Sequence, residues 1–334
     1  RALSRSCTAK AIKSMKTSIN HDIFREYDIR GISDKDLSDD VAFQLGKAIG
    51  TWVRRGGGER VVVGRDCRDS GLRLETALSS GLLQTGCHAL HIGIGPTPLG
   101  YWAIHHLGAD GGVQITGSHN PPEYNGFKVT LLGHSLHGKD IQALRALISE
   151  SDFVSGQGSH SDCPVLEAYV DELAKTLKPA ARKLKVAVDA GNGTGGVTAL
   201  PLYQRLGYQL IPLFCEMDAG FPNHHPDPTV EKNLQDLKQT VANERADLGI
   251  AFDGDADRIG VIDRNGETVY GDRLLILLAR QLLKEAPGAC VLGEVKCSKT
   301  LYDDIRAHGG RPIMWRTGHS LIKAKMKEEA ALLA

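Results

Sequence analysis

The sequence predicts an α/β protein built from a repeated strand-loop-helix unit with mixed sheets. Apolar runs of strand length alternate with amphipathic runs of helix length from residue 42 onward. Glycine and proline punctuate the changeovers, as in Gly95-Pro96-Thr97-Pro98. The alternation also restarts twice, so the 334 residues read as three units, each long enough for a core of its own. The expected division is a disordered basic tail over 1–19, then units over 20–162, 163–266 and 267–334, the last unfinished.

The tail carries Arg1, Arg5, Lys10, Lys13 and Lys16 and no acid up to Ser18. That composition also permits an organellar transit peptide, and Met15 is an alternative start. It lacks the apolar core of a secretory signal. Phe24-Arg25-Glu26-Tyr27-Asp28-Ile29-Arg30-Gly31 is dense in charge and by itself reads as a solvated turn. In the first unit, strands are expected over 60–64 and 88–94 and helices over 72–84, 99–107 and 140–149.

The unit is organised around Gly112-Val113-Gln114-Ile115-Thr116-Gly117-Ser118-His119-Asn120-Pro121-Pro122. An apolar strand runs into small residues, and two prolines bar any continuation as helix, so the Ser118 hydroxyl is held at a corner. Asn125-Gly126 reads as a tight turn that returns Phe127, Lys128 and Val129 as a second strand, which folds Lys128 toward Ser118. An isolated Ser-His pair would be a surface turn.

Residues 151–161, rich in Ser and Gly, are the expected linker. The second unit has helices over 165–177 and 233–244 and strands over 184–189 and 247–252. Its stretch Gly191-Asn192-Gly193-Thr194-Gly195-Gly196 departs from a dinucleotide fingerprint, because the third glycine comes one place early, and reads as a tight strand-to-helix turn. The third unit has helices over 272–284 and 300–308, strands over 289–295 and 312–315, and a helix from Ser320 that still runs where the chain stops.

The strand over 247–252 delivers Asp253-Gly254-Asp255-Ala256-Asp257-Arg258. In an extended or looping backbone the three aspartates point the same way, and the residues between them are too small to obstruct. Three carboxylates this close repel one another without a counter-ion, so a hard divalent cation is expected on them. An EF-hand is excluded, since Arg258 and Arg264 stand where it needs Gly and Glu. Two further loops, Gly293-Glu294-Val295-Lys296-Cys297-Ser298 and Arg316-Thr317-Gly318-His319-Ser320, each end a strand and open a helix, where free amides favour anions.

Lysine plus arginine and aspartate plus glutamate each total 40, which removes a global field for nucleic acid or anionic membrane. The seven cysteines are scattered without a Cys-x-x-Cys pair, which argues for reduced thiols in a cytoplasmic protein over a disulfide framework or a zinc site. No apolar run approaches a membrane span.

The string from Thr116 to Pro122, followed by Tyr124-Asn125-Gly126-Phe127-Lys128, resembles the phosphoserine loop of the α-D-phosphohexomutases, within their bacterial-type phosphomannomutase/phosphoglucomutase group. The aspartate loop resembles that family's magnesium loop, and the segments around Tyr27 and Arg30, Lys296 and His319 resemble its active-site segments. The resemblance implies tandem three-layer α/β/α domains and interconversion of hexose 1-phosphate and hexose 6-phosphate, mannose or glucose, through a phosphoserine at Ser118. It implies Mg²⁺ on Asp253, Asp255, Asp257 and the seryl phosphate. It also implies glucose 1,6-bisphosphate or mannose 1,6-bisphosphate as intermediate and activator. Tyr27, Arg30, His119, Lys128, Arg258, Lys296 and His319 would meet the substrate, Arg30 and Arg258 would share the charge developing on the phosphoryl group, and Lys128 and His319 are the candidates for proton transfer. A monomer is expected, with a hexose phosphate as its partner. The chain stops just where the family continues into a sugar-selecting loop and a fourth domain, so a sugar-phosphate-binding fragment without turnover is one alternative. Another is a haloacid-dehalogenase-type phosphatase with Asp253 as nucleophile, which leaves the Ser118 loop unexplained.

Overall fold

The structure is a computed structural model that describes residues 19–334, so the expected tail lies, up to Ser18, outside the described residues. The first sheet is built from β1 (Ile29–Ile32), β2 (Arg60–Arg65), β3 (His88–Ile94), β4 (Gly111–Ile115), β5 (Tyr124–Leu131), β6 (His134–Ser135) and β7 (His160–Asp162). Between the strands run α1 (Asp39–Arg55), α2 (Gly71–Leu83), α3 (Thr97–His106) and α4 (Lys139–Glu150). The strand order is β1-β5-β4-β2-β3-β7, with β6 beside β5. β4, β2, β3 and β7 are parallel, whereas β5 is antiparallel to both β4 and β1. β2 is covered on both faces, so it reads as a continuous valine run: Val61 and Val63 enter the core under α1, α2 and α4, and Val62 enters the core under α3.

The second sheet follows α5 (Leu166–Thr176) and contains β8 (Lys185–Asp189), β9 (Gln209–Leu213), β10 (Leu248–Phe252), β11 (Ile259–Asp263) and β12 (Thr268–Val269), with helices α6 (Gly196–Arg205) and α7 (Gln235–Glu244). Its order is β12-β11-β10-β8-β9, again mixed. The third unit has α8 (Gly271–Glu285), β13 (Cys290–Glu294), α9 (Lys299–Ala307), β14 (Arg311–Trp315) and α10 (His319–Glu328), with β13 and β14 parallel. Among the described residues no helix is long and apolar enough to cross a membrane.

Four expectations are corrected. Asn125-Gly126 is not a turn; both residues lie inside β5, opposite Gly31 and Arg30 of β1. The reversal is made upstream, by the segment ending at Pro121-Pro122, and Gly126 is needed because a Cβ there would strike the Ile29 carbonyl. The charged string around Arg30 is a solvated turn only in part: Arg25 and Glu26 are exposed at a bend, but Ile29 and Arg30 are buried in β1. The 151–161 stretch is not a free linker: Gly156 N and Gly158 N donate to Gln84 O and Leu83 O, both at 2.8 Å, and β7 joins the sheet at its end. Finally, α10 does not run to the end of the chain. Ala330 takes a positive φ of 50°, Ala331 N donates back to Met326 O at 2.8 Å, and Leu333 pairs with Val291 and enters the third core.

Candidate active site

The parallel strands place the functional side chains. Asp66 and Arg68 follow β2, Thr97 follows β3, Ser118 follows β4, Asp253 follows β10, Lys296 follows β13, and His319 follows β14, each just past the carboxyl end of its strand. Open α/β sheets bind ligands at such ends.

Ser118 has φ 49°, a left-handed conformation that costs a residue with a Cβ roughly 1 kcal/mol. Its amide donates to Thr116 Oγ1 at 2.8 Å, and Thr116 Oγ1 donates to Asp66 Oδ2 at 2.7 Å. Ser118 is 2 % exposed, and its hydroxyl donates to Asp253 Oδ2 at 2.8 Å, with His119 Nδ1 at 3.2 Å. The two sheets therefore meet at this hydroxyl. Glycines make the approach possible: a Cβ on Gly254 would lie 2.5 Å from the Ser118 carbonyl oxygen, and one on Gly193 would lie 2.7 Å from Gly254 Cα. The glycine-rich turn of 191–196 is thus a backing for the aspartate loop.

Asp253, Asp255 and Asp257 converge, with one carboxylate oxygen from each lying within 4.8 Å of the others. Asp253 Oδ1 accepts the amides of Asp257 and Arg258, both at 3.1 Å. Lys128 Nζ reaches Asp255 Oδ2 and Asp257 Oδ2, each at 2.6 Å, and Thr97 Oγ1 donates to Asp255 Oδ2 as well. Burial works against the Asp255 charge, yet Lys128 and Thr97 hold its carboxyl below the usual range. Burial, and then the neighbouring Asp255, push Asp253 and Asp257 up. Burial likewise opposes the Lys128 charge, but Asp255 and Asp257 raise its pKa, so it is a fixed cation.

A divalent metal fits these residues. The Lys128 ammonium pairs with two of the three carboxylates, and Asp255 Oδ1 is buried without a hydrogen-bond partner. An orphaned carboxylate oxygen beside two carboxyls driven up by burial and by the neighbouring Asp255 is the environment a hard, oxygen-seeking cation relieves.

Arg30 is buried, with Nη1 donating to Asn120 Oδ1 at 2.7 Å and Gly117 O at 3.3 Å and Nη2 on Asp28 at 2.6 Å, while its Nε has no partner. Arg258 is exposed beside the aspartates. Tyr27 and His319 face each other with ring centroids 6.3 Å apart, and Tyr27 Oη donates to Thr317 O at 3.1 Å. His319 is exposed, with charged neighbours around its ring. Lost hydration, then the charges of Lys323 and Lys128, lower its pKa to about 4, and it is neutral at pH 7. Lost hydration and Arg258 likewise lower His119 to about 4. Lys296 is exposed, its ammonium 3.9 Å from Glu294, whose carboxylate also accepts the Lys296 amide at 3.1 Å and the Thr317 hydroxyl. The structure thus gathers Ser118, His119, Lys128, Arg30 and the aspartates at one centre. Tyr27, His319 and Lys296 stand on a facing wall and make no hydrogen bond to Ser118.

Sequence reasoning passed over Thr97, Asp66 and Arg68. Thr97 sits in the Gly-Pro-Thr-Pro punctuation, and its hydroxyl looked like part of a turn. The buried Asp66–Arg68 pair, 3.1 Å apart, gave only the faint signal of charges directly after a valine strand.

The chain matches three family signatures in succession, described as phosphoglucomutase/phosphomannomutase, alpha/beta/alpha domain I over residues 21–155, domain II over 167–266 and domain III over 270–334. It is 48% identical over 312 residues to a phosphomannomutase/phosphoglucomutase of Pseudomonas aeruginosa, covering 93% of this chain and 67% of that one. It is 46% identical over 319 residues to a phosphoglucomutase of Neisseria gonorrhoeae, covering 95% and 69%. A crystal structure of a phosphoglucomutase/phosphomannomutase family protein from Burkholderia thailandensis superposes with a TM-score of 0.91 at 44% identity, over 94% of this chain and 70% of the other. With its α/β/α units, its mixed sheets and the serine and aspartate loops in contact, the chain belongs to the phosphoglucomutase/phosphomannomutase family.

Proposed function

We propose that this chain is a phosphohexomutase that moves a phosphoryl group between C1 and C6 of a hexose through Ser118, with a hexose 1,6-bisphosphate as intermediate and activator. The observation that carries the reading is the 2.8 Å hydrogen bond from Ser118 Oγ to Asp253 Oδ2, which joins the serine loop to the aspartate loop. Phosphoryl transfer needs little covalent help beyond in-line positioning and charge neutralisation.

Asp253, Asp255 and Asp257 would hold Mg²⁺ beside the seryl oxygen, and the metal would supply charge neutralisation for the phosphoryl oxygens. Lys128 adds a fixed positive charge on the same side, and Arg258 offers a guanidinium to the phosphoryl group. Arg30 braces the loop through Gly117 and Asn120 and retains a free Nε–H for an anion. In the forward half-reaction a sugar hydroxyl oxygen bonds to phosphorus as the Ser118 Oγ–P bond breaks, and the departing Oγ takes a proton from Asp253 or His119. The hydroxyl proton passes to a neutral base on the facing wall, for which His319 is the candidate. In the return half-reaction Ser118 Oγ bonds to the other phosphorus as that sugar O–P bond breaks; the Oγ proton leaves toward Asp253 or His119, and the freed sugar oxygen takes a proton from the facing-wall base. Of the two residues considered for proton transfer, Lys128 therefore serves as a fixed charge. Tyr27 and Lys296 complete the wall that meets the sugar phosphate.

The same reading divides the chain after 162, supported by β7 closing the first sheet, and again around 266, just ahead of α8, although β12 (Thr268–Val269) still pairs with β11 of the second sheet. A reducing, cytoplasmic setting is supported by the unpaired cysteines, among them Cys67, Cys87 and Cys290. Against the phosphatase alternative, both Asp253 oxygens are already engaged, one by two backbone amides and one by Ser118.

The test is the interconversion of mannose or glucose 1- and 6-phosphates. Ser118→Ala should abolish it with the fold intact, and wild-type rates in that variant would rule out the seryl route.

A further inference from the structure

We propose that Arg68 is a positioning residue for this reaction: its guanidinium, braced by Asp66 and covered by Phe221, holds the loop over 117–124 in the one shape that presents Ser118 to the aspartates. The proposal rests on the reading of Ser118 as the phosphoryl acceptor.

Arg68 is fully buried, and each of its five side-chain N–H donors is used. Nη1 donates to Pro121 O at 2.6 Å and Tyr124 O at 2.9 Å. Nη2 donates to Ser118 O at 2.8 Å and Asn120 O at 2.6 Å. Nε donates to Asp66 Oδ2 at 3.1 Å. No donor is left for a phosphate, so Arg68 acts on the backbone. The corner turns four carbonyls inward, away from water, and unpaired they would oppose this conformation. A lysine has three donors and no planar fork, so it cannot satisfy four carbonyls at once.

Asp66 ties the incoming side of the same corner. Its Oδ2 accepts Thr116 Oγ1 at 2.7 Å and Gly117 N at 3.1 Å, and Thr116 Oγ1 accepts the Ser118 amide. Gly117 is required because a Cβ there would strike the Arg68 guanidinium carbon. The left-handed Ser118 is therefore fixed by hydrogen bonds on both its amide and its carbonyl. Phe221, from the second unit, lies over the guanidinium with its ring centre 5.1 Å from Arg68 Cζ. The unit that brings the aspartates thus also covers the residue that shapes the serine loop.

The experiment follows phosphorylation of Ser118 by mass spectrometry in the full chain mixed with glucose 1,6-bisphosphate and Mg²⁺, at several bisphosphate concentrations. Arg68→Lys should lower the saturating rate about a hundredfold, the cost of a misplacement near 1 Å. The half-saturating bisphosphate concentration and the Mg²⁺ affinity should stay unchanged, because the aspartates and the facing wall are untouched. Phe221→Leu, which keeps an apolar cover and serves if Arg68→Lys does not fold, should lower the same rate by a smaller factor. Wild-type saturating rates in folded Arg68→Lys, or in Phe221→Leu when only that variant folds, would overturn the positioning role. Equal losses in rate, half-saturation and Mg²⁺ affinity would overturn it too, because they would mark a general structural effect. A wild-type chain that takes no phosphate on Ser118 at any concentration would instead overturn the underlying reading of the serine.

Discussion

Lys128 and Asp255 form a buried ion pair at 2.6 Å that bridges the first sheet to the aspartate loop of the second. Lys128 is carried on β5 opposite Gln114 and is 6 % exposed, so its ammonium is held largely away from solvent. It is the resident counter-charge of the acidic cluster.

Lys128→Met should therefore leave Asp255 and Asp257 unbalanced and destabilise the metal-free chain by about 3–5 kcal/mol, the usual cost of removing one partner of a buried pair. Urea denaturation with and without Mg²⁺ checks this. The loss should shrink when Mg²⁺ is present, and an unchanged midpoint without metal would contradict it.

Thr97 fixes Asp255 from the first sheet, through its hydroxyl on Oδ2 and its amide on the Asp255 carbonyl at 2.8 Å. That leaves Oδ1 free to face a cation. Thr97→Val should weaken Mg²⁺ binding by about tenfold, the lower end for an outer-sphere contact, and Asp255→Asn should weaken it more. Titration calorimetry reads both, and an unchanged Kd in Asp255→Asn would count against the cluster as the metal site.

His224 Nε2 lies 2.9 Å from the buried Asp189 carboxylate. Burial works against the imidazolium, but the hydrogen bond to Asp189 prevails and raises the His224 pKa. A pKa raised in the folded state gives stability that is full below the unfolded value, about 6.5, and is lost as pH rises through the folded value. His224→Gln should therefore cost about 2 kcal/mol near pH 5.5 and less near pH 8.5, by urea denaturation across that range. A constant difference would show that the pair does not titrate.

Gly254→Ala should open the junction between the sheets, since the new Cβ meets the Ser118 carbonyl oxygen, a backbone atom that cannot swing aside. A destabilisation of about 1–3 kcal/mol is expected, together with slower phosphorylation of Ser118. A variant with wild-type stability and wild-type rate would mean the loops are free to separate.

Legibility in the sequence followed periodicity and composition. The valine strand β2 and the strand β3 (His88–Ile94) were readable because parallel strands buried on both faces are apolar along their length. Asp253, Asp255 and Asp257 were readable because their spacing survives into the loop. β1 was hidden, because it is only four residues long and carries an arginine that is buried through partners far along the chain. Asn125-Gly126 misled for a related reason: the dipeptide favours turns locally, but close packing of β1 on β5 uses the same glycine for backbone contact. Arg68 was invisible because its role lies in five hydrogen bonds, four of them to backbone atoms more than 49 residues away, and none of these follows from local pattern.

The most direct measurement is the position of the phosphate after the chain is incubated with glucose 1,6-bisphosphate and Mg²⁺. The account predicts one phosphate on the peptide containing Ser118, stable to hydroxylamine and absent from Ser118→Ala. Phosphate on Asp253, cleaved by hydroxylamine, or a chain that takes none at all, would contradict it.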